Sequence, residues 1–300
     1  MSQQIELEQA LRRVLFELGP YLPDVVLIGG WVPYLYRHYG RFGAWAGTDT
    51  FTRELDVLVD RPLPRDGRPP LAELLRNSGF RPDREGASAA VWVRGAHAGE
   101  KIEFIAPHRG TARGQGNSVP VEEQSGLGAI PLTEVELLLA HAQALQLPGA
   151  VGMPSVEVRV PTLGAYVVTK ALTFIARGAR TDEDGAPKLV KDLLYLRDLM
   201  AAGEEVVTSI EGDIDEIAGG SRGDADRIRT AATNLGFVID GKMKYRLIDV
   251  ARMLVERGNA GSLEQETAAA DGYLTDLYEL LAEAADRYAP LPLEDFEEAE

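Results

Sequence analysis

An α+β fold, with a small-sheet domain over residues 1–161 and an all-helical domain over 162–300, is what three features of this 300-residue chain predict. The first is length, since roughly 100–200 residues per domain makes two the natural count. The second is a change of period. Short apolar and alternating runs, the pattern of strands, are confined to the front half, whereas from Thr162 onward apolar residues recur at helical spacing. The third is charge. The net charge is −16, yet residues 201–300 hold 23 acidic and 9 basic residues while the first 200 hold 24 and 22.

Taken in order, Leu7, Leu11, Val14, Leu15 and Leu18 set an amphipathic helix over about 6–18. The apolar run Val25-Val26-Leu27-Ile28 reads as a strand, Gly29-Gly30 as its turn, and Trp31 to Tyr36 as the helix that follows. Thr52 to Asp60 contains the next strand. Residues 66–70, rich in Pro and Gly, form a loop, and residues 71–77 a short helix ending near Gly79. Ala90 to Val93 and Lys101 to Ile105 read as a hairpin across Gly95–Gly99. The polar, glycine-rich stretch 108–128 reads as a flexible loop. Thr133-Glu134-Val135-Glu136 has the form of a capping box opening a helix to about Gln146, and Val156 to Val160 alternates as a strand. Helices are then expected over about 162–178, 187–202, 204–219, 222–235, 244–257 and 265–288.

Composition narrows the function classes. Apolar content of 45% and charged content of 26% fit a globular protein with a real core. No run approaches the ~20 apolar residues of a membrane span, so no membrane partner is expected. Met1 to Glu6 lacks the pattern of a secretion signal, and without cysteine there is neither a disulfide framework nor a thiolate metal site. A cytoplasmic location is the expectation. The acidic C-terminal third, ending in Glu294-Asp295-Phe296-Glu297-Glu298-Ala299-Glu300, reads as a solvated tail that would repel phosphate backbones. The near-neutral front leaves room for a local basic pocket.

Chemistry is concentrated between Val25 and Asp60. Residues two apart in a strand point the same way, so Glu54 and Asp56 share a face while Leu55, Val57 and Val59 pack on the other. Two carboxylates aimed together fit either a bound cation, with oxygen ligands suited to Mg²⁺, or a solvated strand edge. A glycine pair after a buried strand lets backbone N–H groups approach a phosphate, and the next helix N-terminus adds positive potential. Neither a Walker loop nor the GxGxxG fingerprint is present. The four histidines, His38, His97, His108 and His141, show no metal-ligand spacing.

Strand, Gly-Gly, helix and then Thr52-Arg53-Glu54-Leu55-Asp56 resemble the signature of the polymerase-β-type nucleotidyltransferase superfamily. The likeness is nearest to minimal bacterial members, including AbiE-type (AbiEii-like) toxins. It implies a polymerase-β-like domain with a small mixed sheet, in which Gly29, Gly30 and Thr52 serve the nucleotide and Glu54 and Asp56 bind metal. Glu103, in Lys101-Ile102-Glu103-Phe104-Ile105, matches the third carboxylate. Two departures stand out: Glu occupies the first acid position, where Asp is usual, and residues 41–51 lengthen the segment before it. In the helical half, Lys170 and the run Lys188, Lys191, Asp192, Tyr195 resemble a Lys helix followed by a Lys/Arg-Asp helix in AbiE-like toxins. By that resemblance Lys170, with Lys191, contacts the triphosphate, Asp192 acts as a base or orients a partner, and the loop 180–187 overhangs the cleft. The resemblance covers roughly residues 20 to 200.

The resemblance implies an Mg²⁺- or Mn²⁺-dependent nucleotidyltransferase using an NTP, with an RNA such as tRNA as acceptor and an antitoxin protein as partner. Two other readings fit the residues: a transferase acting on a small molecule or a protein, and a catalytically silent nucleotide-binding scaffold.

Overall fold

The computed structural model of the protein describes residues 2–42, 45, 54–84, 88–95, 100–109, 118–150, 154–177, 188–241 and 243–288. It divides into two compact units, Met1–Thr162 and Leu163–Glu300. Thr52, the loop 180–187, most of the 41–51 segment and the acidic tail lie outside the described residues.

The first unit opens with helix α1 (Ser2–Leu18), which buries Leu11, Val14, Leu15 and Leu18. A 3₁₀ turn, Gly19–Asp24, leads into strand β1 (Val25–Ile28), all four residues of which are buried. Helix α2 (Trp31–Tyr39) follows directly; Pro33 sits in its first turn, where a missing N–H costs no helical bond. Strand β2 (Glu54–Val59) and helix α3 (Leu71–Asn77) come next. A small strand β3 (Arg81–Pro82) precedes β4 (Val91–Arg94) and the long β5 (Glu100–Pro107). Two further strands, β6 (Val119–Pro120) and β7 (Gly128–Leu132), complete a seven-stranded sheet.

Its order is β1-β2-β5-β4-β3, with β7 joined to β5 and β6 to β7. The sheet is mixed: β2 runs antiparallel to β1 and parallel to β5, while β4 and β5 form the expected antiparallel hairpin. Residues 118–128, expected as part of a flexible loop, instead carry β6, the first residue of β7 and a buried Gln124. That side chain accepts from Leu71 N at 2.8 Å and donates to Tyr21 Oη and Leu63 O at 3.1 and 3.0 Å. All its polar atoms are satisfied, which is what lets it be buried.

The expected helix over 133–146 is also corrected. Only α4 (Glu136–Ala140) is helical, and β8 (Ala142–Leu147) pairs antiparallel, residue for residue, with β9 (Val156–Pro161). No capping box forms, because Glu134 takes a positive φ of 67° and Val135 is the helix N-cap. The β-branched run of β9 needs a partner for its backbone groups, and that pairing outweighs the local helix preference of Ala142 to Leu147.

All named elements of the second unit are helices: α5 (Leu163–Arg177), α6 (Lys188–Met200), α7 (Glu204–Gly220), α8 (Arg222–Ile239), α9 (Tyr245–Glu256) and α10 (Leu263–Arg287). The helices read from the sequence lie at these positions. Ser221 caps α8 by accepting from Asp224 N, and Ser262 with Gln265 forms a full capping box on α10. Asn234, buried in α8, donates to the carbonyls of Ala171 and Leu172 at 3.1 Å each, tying α8 to α5. No helix among the described residues is long and apolar enough to cross a membrane.

Candidate active site

The first unit's candidate residues meet because of sheet register. In β2 the acids Glu54 and Asp56 are half-buried while Leu55, Val57 and Val59 pack into the core. Ile28, the last residue of β1, faces Asp56 across one side of β2. Glu103 of β5 faces Asp56 across the other. One carboxylate oxygen from each of Glu54, Asp56 and Glu103 lies within 4.8 Å of the others. Three oxygens so close repel one another in the absence of positive charge, and hard divalent cations take this kind of donor set. Backbone pairing fixes the register of the strands that carry the acids.

The glycine turn belongs to the same place. Gly29 has a φ of +72°, and a Cβ built on it would stand 1.9 Å from Asp56 Oδ2. Only a residue without a side chain leaves room for that carboxylate, so Gly29 is fixed by contact as well as by conformation. Gly30 is the N-cap of α2 and brings no side-chain hydrogen bond to the helix start. Trp31, the first residue of α2, donates its indole N–H to the carbonyl of Glu54 at 3.0 Å. The helix N-terminus and the beginning of the acidic strand are thereby tied together.

Two residues here received no role from the sequence. Trp31 is the tie just described. Lys101 places its Nζ 3.1 Å from Glu54 Oε1 and 3.0 Å from Glu103 Oε1. A signal for the lysine was present: it stands two residues before Glu103 in a strand, hence on the same face.

In the second unit, Lys170 on α5 and Asp192 on α6 form a buried ion pair, Nζ to Oδ1 at 2.5 Å. The rings of Tyr166 and Tyr195 lie 5.3 and 5.4 Å from the ammonium, within cation–π range. Lys191, one position before Asp192 on α6, is half-buried. The structure thus joins Glu54, Asp56, Glu103 and Gly29 in one unit and Lys170 with Asp192 in the other. Of the histidines, His38 packs its ring 4.3 Å from that of Tyr34 and His141 closes α4, while His97 lies outside the described residues.

The family described as Nucleotidyltransferase matches residues 8–211. The chain belongs to this family. The matched span contains every candidate residue from Gly29 to Asp192, so the acidic face sits within a nucleotidyltransferase and the protein is an enzyme of that class. No curated protein and no solved structure matches the chain.

Proposed function

We propose that this nucleotidyltransferase moves a nucleoside monophosphate from an NTP to an RNA acceptor, tRNA being the first candidate. In this reading Mg²⁺, or Mn²⁺ in its place, is held by Glu54, Asp56 and Glu103 on a polymerase-β-type sheet. The observation that carries the reading is the position of Asp56, which abuts Gly29 of the phosphate turn and faces Glu103 across the sheet. A metal-binding acid and a phosphate-binding turn need that adjacency, since Mg²⁺ held by such acids would also take oxygens of the substrate phosphates.

The chain's own residues then divide the work. The N–H groups at the start of α2, uncapped by any side chain, donate to phosphate oxygens. The three carboxylates would hold the metal. When bound, it neutralises charge on the reacting phosphate and lowers the pKa of the attacking group. An acceptor hydroxyl or phosphate oxygen attacks the α-phosphorus, the bond to the bridging oxygen breaks, and pyrophosphate leaves. Lys170 and Lys191 are assigned by family resemblance to the phosphate charge, and Asp192 to accepting a proton or orienting Lys170. Support for treating Lys170 and Asp192 as one device is their shared buried pair. The RNA acceptor, the toxin role and the antitoxin partner rest on the likeness to AbiE-type proteins.

The test is to incubate the protein with each α-labelled NTP, Mg²⁺ or Mn²⁺, total bacterial RNA and lysate. Asp56→Asn is run alongside. We expect label on RNA with the wild type and a loss of about a thousandfold in Asp56→Asn, the scale of losing one preorganised electrostatic group. Label on a small molecule or a protein would replace the RNA acceptor, and equal labelling by Asp56→Asn would overturn the site. Growth arrest by the wild type and not by Asp56→Asn is the expected sign of a catalytic toxin.

A further inference from the structure

Lys101 is the residue of the acidic face that metal binding alone leaves unexplained. It leaves β5 on the same side as Glu103, and the sheet register sets it opposite Glu54. Its side chain is only 14% exposed, and its ammonium reaches one oxygen of each glutamate at 3.1 and 3.0 Å. An ammonium is a compact point charge with three donors. Two of the three carboxylates that would hold metal are therefore already its acceptors. The three acids and the lysine sum to −2 rather than −3, a charge that a single divalent ion cancels. A second divalent ion would enter against a fixed positive charge a few ångströms away.

On the metal reading of Glu54, Asp56 and Glu103, we propose that Lys101 is a positioning residue standing in for one cation. Before nucleotide arrives, the face binds a single divalent ion, and Lys101 keeps Glu54 and Glu103 converged around it. A second ion enters only with the added negative charge of the triphosphate, which outbids the lysine for the two glutamates. The lysine thus makes full metal loading depend on substrate, so that the carboxylates are not saturated with metal in its absence.

The experiment measures Mn²⁺ binding to the full-length protein without nucleotide, by the electron paramagnetic resonance signal of free Mn²⁺. Wild type, Lys101→Met, Lys101→Arg and Asp56→Asn are compared. We expect one ion in the wild type and in Lys101→Arg, which keeps the charge. In Lys101→Met we expect a second ion, or an affinity raised by about tenfold, the scale of removing one like charge at this distance. Circular dichroism checks the fold; should Lys101→Met fail to fold, Lys101→Gln removes the charge while keeping a donor toward the glutamates. Equal stoichiometry and affinity in the neutral variant and the wild type, with binding lost in Asp56→Asn, would overturn the role of Lys101 and leave the metal site standing. Binding unchanged in Asp56→Asn, or absent from every protein, would bring down the metal site and this role with it.

Discussion

On the strand face, three carboxylates and one lysine leave a net negative charge at half-buried positions; in the second unit, Lys170 and Asp192 bury two charges that cancel. The first cluster is held by backbone register, which sets Asp56 against Glu103 whatever their charges prefer. The second is held by the attraction of its own members, because burying either alone would carry a heavy desolvation cost. A cluster with surplus negative charge on a rigid frame suits the ion proposed for it. A buried pair that cancels gives up stability if one member is removed.

The sharpest way to break this comparison is to neutralise one member of each cluster and follow unfolding in urea. Lys170→Met leaves the Asp192 carboxylate buried without its partner, and removing one side of such a pair typically costs about 3–5 kcal/mol. Asp56→Asn should cost nothing, and removing a like charge beside Glu54 and Glu103 should stabilise the fold slightly. Replacing both Lys170 and Asp192 by Met and Leu should restore much of the loss. Equal destabilisation by Lys170→Met and Asp56→Asn would show that the two clusters are not built on different principles.

Gly29→Ala probes the frame rather than the charges. The new methyl group meets Asp56 Oδ2 and must adopt a positive φ, so the carboxylate swings out of its place or the turn shifts. We expect the transfer rate to fall by about a hundredfold, the scale of displacing a reacting group by an ångström. Thermal stability should fall as well, by about 1 kcal/mol or more for the strained backbone. A Gly29→Ala enzyme with normal activity would detach the glycine turn from the site.

The same contrast explains what could be read in the sequence. Glu54 and Asp56 were visible because strand periodicity is local, and the turn after β1 because two glycines end an apolar run. The hairpin of β4 and β5 was visible for the same reason, its turn carrying Gly95 and Gly99. The six described helices of the second unit follow from apolar spacing. What escaped depends on partners far along the chain. Residues 142–147 have a helix-like composition and became a strand because β9 lay alongside. Strand β7 exists through its pairing with β5, which no property of residues 128–132 announces. Lys101 was in view as a letter, but its role required the register that sets it across from Glu54. Glu103 could be proposed from the family resemblance, whereas its distance from Asp56 required two paired strands.

A third ionic cluster, in the first unit, supplies the smallest effect and the control for both others. Glu8 on α1 accepts from Arg12 Nε and from the Tyr34 hydroxyl at 3.0 Å each, and from the Tyr39 hydroxyl, binding α1 to α2. Burial works to raise the pKa of this carboxyl, but the hydrogen bonds of Tyr39, Arg12 and Tyr34 and the charge of Arg12 together outweigh it. The net value lies below the ordinary 4.5. A carboxyl whose folded-state pKa is depressed contributes stability that is fully present above its unfolded value and lost as pH falls through the folded one. Glu8→Gln should therefore melt at a lower temperature than wild type at neutral pH, with the gap closing as pH drops below about 4.5. Activity per folded molecule should be unchanged, since the cluster anchors helices and touches none of the three acids. Melting curves across pH decide it: a gap constant from neutral to acid pH would mean that shape, and not the charge of Glu8, joins the two helices. A gap that closes would mark a cluster whose charges serve the fold, like the buried pair of Lys170 and Asp192 and unlike the acids of β2 and β5.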